Sequence, residues 1–207
     1  MIAVVDYGVG NLFSLQGALT SLRIEHCVTD QPTVVEKADR IIFPGVGAFG
    51  DAKKKLAEKG LDQTLIEMAG KGTPILGICV GMQLLFEESE EFGTQKGFGL
   101  ISGKVTSLKE RFLSTEQPLK VPHMGWNQLV FQKDCPLLQG IQDQDFFYYV
   151  HSFYAETTEP VVAAYSEYGV KIPGIVQKGN LFGTQFHPEK SGRAGSKLLQ
   201  NFAEGSL

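Results

Sequence analysis

The chain has 207 residues, 43% apolar and 20% charged, with a formal net charge of −4; this suits one soluble globular domain spanning 1–207 that needs neither disulfides nor metal to hold a core. Without a basic run, nucleic acid and anionic membrane are excluded as main partners; the longest apolar stretch, residues 74–86, is too short to span a bilayer. MIAVVDYG lacks the basic start of a signal peptide, and three cysteines (Cys27, Cys79 and Cys135) without CxxC or a His/Cys cluster point to reduced thiols in a cytoplasm, with no metal and no cofactor.

Residues 2–6, IAVVD, are a short apolar run expected to form a buried strand. DYGVGN turns the chain, and Leu12, Leu15, Leu19 and Leu22 then recur at helical spacing, with Asn11 near the helix start. Arg40 to Phe43 is a second expected strand, followed by PGVGAFGD and a helical stretch from about Ala52 to Gly70. Pro74 to Ile78 is a third, followed by a helix from about Gly81 to Glu88. Alternating β and α signals favour a parallel sheet with helices on both faces. From about Lys104 to Phe186 the character changes. NQLVFQ, DFFYYVHSFYA, VVAAYS and NLFGTQF are short strand-like runs that suggest antiparallel additions to the sheet. A last helix carries Leu198, Leu199 and Phe202 on one face.

Gly77-Ile78-Cys79-Val80-Gly81 has the glycine spacing of a nucleophile elbow, with sulfur in place of a serine hydroxyl. A nucleophile on a sharp strand-to-helix turn stands above the sheet in a strained backbone that only small neighbours allow. The helix start behind it favours the thiolate and offers free N–H groups to an oxyanion. On the motif alone, a structural cysteine in an apolar strand is an equal reading. Cys27 and Cys135 lack such glycines and read as structural.

A thiol nucleophile needs a base. His187 lies in GTQFHPEK, where Pro188 biases it toward an extended backbone, so His187 and Glu189 point to one side. Cys79, His187 and Glu189 are then candidates for a triad. PGVG, residues 44–47, follows a strand end on the edge expected to carry Cys79. Its backbone is a candidate for a second oxyanion donor, from Val46 or Gly47. Taken alone, HPE also reads as a polar turn and PGVG as a plain one.

PGVG, GICVGMQLLF and FHPEK, in this order, resemble the class I (triad) glutamine amidotransferases. Within that class DYGVGN, PGVGAF and VPHMGWN (residues 121–127) are similar to the members that supply ammonia to a (βα)8-barrel cyclase in histidine biosynthesis. The resemblance covers nearly the whole chain. It implies a flavodoxin-like core, a mostly parallel sheet flanked by helices. It also implies hydrolysis of L-glutamine at Cys79, with His187 as acid and base and Glu189 orienting it. Val80 N–H and the strand at Val46 and Gly47 would meet the oxyanion. Gly47, Gln83 and the Ser152-Phe153 backbone match glutamine-holding positions. Asn11, Met124, Trp126, Tyr148 and Lys190 match the face toward the cyclase, although core packing is an equal reading for Met124 and Trp126. His123 is assigned either to that interface or to a turn, and His151 to a structural role in a strand. The departures are minor: Val80 stands where leucine is common and keeps the N–H.

Three rival readings remain in the sequence. A cysteine peptidase or DJ-1-like cysteine hydrolase would also use an elbow cysteine, but gives no reason for Gln83 and HPE together. A non-enzymatic flavodoxin-like binding module explains neither motif. A class I glutaminase serving a different synthase shares both.

Overall fold

The computed structural model describes residues 1–113 and 119–205. In chain order the first half forms β1 (Ile2–Val5), α1 (Leu12–Ser21), β2 (His26–Thr29), α2 (Pro32–Val35), β3 (Arg40–Gly45), α3 (Phe49–Glu58), α4 (Leu61–Gly70), β4 (Ile75–Cys79) and α5 (Val80–Leu84). There follow β5 (Phe86–Ser89), β6 (Gln95–Lys96), β7 (Ile101–Ser107), α6 (Leu108–Phe112), β8 (His123–Gln128) and β9 (Val130–Phe131). The chain ends with β10 (Phe146–His151), β11 (Phe153–Glu156), β12 (Val162–Glu167), β13 (Lys171–Lys178), β14 (Leu181–Thr184) and α7 (Gly192–Glu204).

One eight-stranded sheet, in the order β2-β1-β3-β4-β14-β13-β12-β9, organises the molecule. Its first five strands pair in parallel, and β13, β12 and β9 add antiparallel. The 2-1-3-4 start is the doubly wound, flavodoxin-like order, in which ligands gather beyond the carboxyl ends of the strands. The apolar runs read as strands are buried on both faces: IAVV of β1 and ILGIC of β4 are buried throughout. Asn11 caps α1 by accepting from Ser14 N, and Leu15 and Leu19 face the core.

Several expectations change at this level. The helix expected over 52–70 is two, because Gly60 takes a left-handed φ of 70° between α3 and α4. The helix expected over 81–88 ends at Leu84, because Phe86–Ser89 is taken up by a second sheet ordered β11-β7-β5-β6. NLFGTQF is antiparallel to β13 on one side but parallel to β4 on the other, with Leu181 opposite Ile75 and Thr184 opposite Ile78. That parallel pairing joins segments about a hundred residues apart, so no local pattern foretells it. Its consequence is functional. β4 lies between β3 and β14, so the residues that follow each of these strands meet at one edge of the sheet.

Candidate active site

Cys79 ends β4 at φ 55° and ψ −110°, a backbone that non-glycine residues rarely adopt. The flanking glycines are required by close approach. A Cβ on Gly77 would lie 2.6 Å from the Gly81 carbonyl, and one on Gly81 would lie 2.1 Å from Phe43 O. Gly45, paired with Cys79 across the sheet, is equally crowded: its Cβ would lie 2.8 Å from Gly81 N. The elbow is therefore wedged against β3, and PGVG passes directly beside it. Pro44 and Gly45 extend β3 beyond the expected end at Phe43, and Tyr7 Oη donates to Pro44 O at 2.8 Å, pinning the strand end from which the loop leaves. Beyond the pin, Gly47 has φ 85° and open space where a side chain would stand.

The basic partner arrives from the extension of β14. His187 N donates to Tyr148 O at 2.9 Å, and Ser191 Oγ donates to His187 O at 2.6 Å. His187 Nδ1 lies 2.8 Å from Glu189 Oε1, and both side chains are 2% exposed. The extended backbone expected through HPE holds only at His187. Pro188–Lys190 is a 3-10 turn, and the turn brings the carboxylate back to the ring. Burial opposes charge on His187, but hydrogen bonding and charge from Cys79 and Glu189 outweigh it and raise the pKa of the imidazole. Its Nε2 has no well-aligned partner at rest, as is common for a catalytic base before substrate binds.

Cys79, His187, Val46, Gly47, Val80 and Gln83 line one cleft of about 290 Å³, together with Ser152 and Phe153. That is room for one amino acid. A wider groove of about 980 Å³ between α1 and α7 reaches Glu189 but neither Cys79 nor His187, so the smaller cleft is the one with the candidate nucleophile and base. The Val80 N–H, at the first position of α5, has no partner within the helix. Gln83 Nε2 donates to Phe153 O at 2.9 Å, tying the elbow helix to the Ser152-Phe153 backbone.

Two residues in this neighbourhood carry no assignment from the sequence. Glu91 also lines the cleft, and its Oε2 accepts from Phe49 N at 2.7 Å. Within EESEE it reads as one more solvated charge, so no local signal marks it. Gln185 is fully buried, and its Nε2 lies 3.7 Å from Cys79 Sγ. Here a signal existed: in an extended run, residue 185 points to the same side as residue 187.

The residues matched to a partner face divide. Met124 and Trp126 are 61% and 55% exposed on the outer face of β8, which excludes core packing for both. Trp126 meets Tyr148 edge to face at 6.0 Å, and Lys190 Nζ sits 5.8 Å from the Tyr148 ring. Asn11 caps α1. His123, read as an interface or turn residue, is neither. It is a buried strand residue on the inner face of β8, stacked between Tyr149 and Tyr168. Its Nδ1 is 2.9 Å from His151 Nε2. His151, expected as a structural strand residue, ends β10 beside the cleft, and its Nδ1 donates to Phe153 O at 2.9 Å. Burial holds His123 down to about 4 and His151, with His123 beside it, to about 3. Among the described residues no cluster has the composition of a metal site, and no helix is long and apolar enough to cross a membrane.

The family model described as glutamine amidotransferase class-I matches residues 3–205. An imidazole glycerol phosphate synthase subunit HisH from Bacillus cytotoxicus is 50% identical over 202 residues, covering 98% of this chain and 93% of its own. The protein of that name from Geobacillus sp. is 50% identical over 204 residues, covering 98% and 96%. Among solved structures, a glutamine amidotransferase superposes with a TM-score of 0.75 at 19% identity, covering 99% of this chain and 98% of its own. PurLQS from Thermotoga maritima gives a TM-score of 0.73 at 21% identity, covering 97% and 96%. At such identities the structural likeness concerns the fold alone.

Proposed function

The chain belongs to the class I glutamine amidotransferases, and from that premise we propose that it is the glutaminase subunit of an imidazole glycerol phosphate synthase. It hydrolyses L-glutamine and passes the ammonia to a (βα)8-barrel cyclase, which makes imidazole glycerol phosphate and aminoimidazole carboxamide ribotide. Relatives carrying that synthase's name at about 50% identity over nearly the full length support the assignment. The observation that carries the chemistry is the meeting of elbow cysteine and carboxylate-held histidine in one amino-acid-sized cleft.

In this mechanism the Cys79 thiolate attacks the γ-carboxamide carbon. The carbonyl oxygen takes up the negative charge and is met by Val80 N–H and by a donor from the Val46-Gly47 loop. His187, protonated and oriented by Glu189, gives its proton to the amide nitrogen, which leaves as ammonia when the C–N bond breaks. A water then gives a proton to His187 as its oxygen bonds to the acyl carbon. The C–S bond breaks, sulfur leaves as thiolate, and glutamate is released. Gln83 and the backbone at Ser152 and Phe153 hold the substrate with Gly47, and the free oxygen of Glu91 suits its α-ammonium group. A reducing cytoplasm suits the free Cys79 thiol on which the reaction depends.

The ammonia leaves toward the partner. The exposed apolar side chains of Met124 and Trp126, with Tyr148, Lys190 and Asn11, supply the docking face for the cyclase. The test uses the two subunits together. Cys79→Ala should abolish glutamine-dependent synthesis, by about 10⁴-fold or more in kcat, and leave ammonia-dependent synthesis intact. Near-native glutamine turnover in that variant would overturn the mechanism.

A further inference from the structure

We propose that Gln185 is a catalytic residue of this site: its side-chain amide donates a hydrogen bond to Cys79 Sγ, stabilising the thiolate before attack and the sulfur as it leaves the thioester. The proposal rests on the glutaminase reading for its place in the reaction, but the donor itself is a feature of the resting site.

The argument begins with the direction of the Gln185 amide, whose nitrogen and oxygen are similar in shape and differ in what they do. One backbone carbonyl fixes that direction. Phe153 O is approached at 2.9 Å by Gln83 Nε2 and at 2.9 Å by His151 Nδ1. A carbonyl oxygen only accepts, so Gln83 presents its NH₂ group and His151 carries its proton on Nδ1. The same NH₂ group of Gln83 lies 3.1 Å from Gln185 Oε1. That contact makes the Gln185 oxygen the acceptor, and its own NH₂ group then faces Cys79 Sγ at 3.7 Å. Turning Gln185 around would set two NH₂ groups against each other. Turning both glutamines would set the Gln83 oxygen against the Phe153 carbonyl. Each alternative leaves buried polar groups opposed, which costs on the order of 1–3 kcal/mol per lost partner.

The far end of the chain is equally fixed. With its proton on Nδ1, His151 accepts at Nε2 from His123 Nδ1, and both rings are kept neutral by burial, with pKa values near 3 and 4. No proton enters this network near neutral pH, so the polarity at Gln185 is constant there. The Gln185 backbone is also held, its N donating to Gly174 O at 3.0 Å.

What remains is the preference of a fully buried N–H for its acceptor. A thiol sulfur is a weak acceptor, whereas a thiolate accepts a charge-assisted bond. Gln185 has no exposure to water, so the N–H facing sulfur is better satisfied by the ionised form. Helix α5 is only five residues long, so a direct donor supplies what a longer helix dipole would otherwise contribute.

The experiment is alkylation of the full-length chain by iodoacetamide across pH, followed at the Cys79 peptide by mass spectrometry so that Cys27 and Cys135 do not contribute; it reads Cys79 ionisation without needing glutamine turnover. It is run on the native protein, on Gln185→Met, which keeps length and loses the donor, and on Gln185→Glu, the isostere that sets a carboxylate against sulfur. Circular dichroism and the thermal midpoint check that each variant folds. In Gln185→Met the rate at pH 7 should fall about 3–10-fold, the span of half to one unit in the alkylation profile, and recover the native plateau at higher pH. Gln185→Glu should shift further in the same direction. Gln83→Met, which lets the Gln185 amide turn, should give a smaller shift and keeps the test available should either change at 185 prevent folding. Glutamine turnover should lose more in kcat than in KM. Alkylation profiles of folded variants coinciding with the native one would overturn the proposal. Should the native protein hydrolyse no glutamine while the profiles shift, the sulfur donor stands and the glutaminase reading falls. Should glutamine be hydrolysed while the profiles coincide, only the assignment of Gln185 falls.

Discussion

Two histidine sites lie against the same substrate cleft, and they are tuned in opposite directions. His187 is 2% exposed, and its pKa is raised. His123 and His151 are 3% and 6% exposed, and theirs are lowered to about 4 and about 3. Burial is common to both regions and by itself favours the neutral ring. The difference lies in what each ring faces. His187 has a carboxylate at 2.8 Å and the thiol beside it. His151 faces a backbone carbonyl and the other imidazole, and His123 faces Asn127, Tyr149 and Tyr168. One site can therefore carry a proton through a reaction, while the other is a neutral brace that positions the Ser152-Phe153 backbone. The comparison teaches that histidine function here follows from its first neighbours and not from its depth.

The largest expected effect breaks the charged site. His187→Ala should cost nearly as much glutaminase activity as Cys79→Ala, about 10⁴-fold or more in kcat, because one ring serves both proton transfers. Glu189→Gln keeps the shape and loses the charge, so it should cost less, about 10²–10³-fold. Steady-state hydrolysis and labelling of Cys79 by a glutamine-like chloroketone measure both. A fully active Glu189→Gln would reduce HPE to a structural turn.

A second prediction uses the two faces of β8, which carries His123 inward and Trp126 outward. Trp126→Ala should weaken binding to the cyclase by about 10–100-fold, as loss of an interface aromatic does. The thermal midpoint of the free chain should stay near native, because the side chain is more than half exposed. His123→Ala should do the reverse, lowering stability by roughly 2 kcal/mol through a cavity and an unpaired His151. Calorimetric titration against the cyclase, beside thermal melts, distinguishes the two. Unchanged affinity in Trp126→Ala would move the docking face elsewhere.

The smallest expected effect is on pH dependence. His123 and His151 are held neutral, so an unfolded chain binds more protons than the folded one between the unfolded histidine value near 6.5 and their lowered values. Their contribution is thus fully present above about pH 6.5 and is lost as pH falls toward 4 and 3. His187 has the opposite sign: its contribution is fully present below about 6.5 and is lost as pH rises through its raised value. Urea unfolding of His151→Gln should have a flatter acid limb between pH 6.5 and 4. An acid limb as steep as native would mean that His151 is already charged in the folded protein.

Much of the site is legible along the chain because its parts are local. G-x-C-x-G encodes the elbow directly, since two glycines are what the close approaches to Phe43 O and across Gly77 demand. HPE encodes the candidate base and its carboxylate, because two residues suffice to bring Glu189 to His187, even though a 3-10 turn and not an extended strand does it. The strands through Ile2–Val5 and Ile75–Cys79 follow from unbroken apolar runs. Periodicity was less informative where one residue overrode it, as at Gly60, or where a second sheet recruited Phe86–Ser89.

Sequence alone pointed to the alternating β/α core, a candidate nucleophile, a candidate base and the loop that follows β3, because each rests on spacings of a few residues. Tertiary structure decided what joins them. It set β14 parallel to β4, so that residues 185–187 reach the elbow, and it turned His123 inward and Trp126 outward on one strand. It also closed the hydrogen-bonded chain from His123 through Phe153 O and Gln83 to Gln185 and the sulfur. Its members come from four separate stretches of chain. The polarity of a buried amide is set by whichever groups surround it in space, and no short-range pattern carries that information.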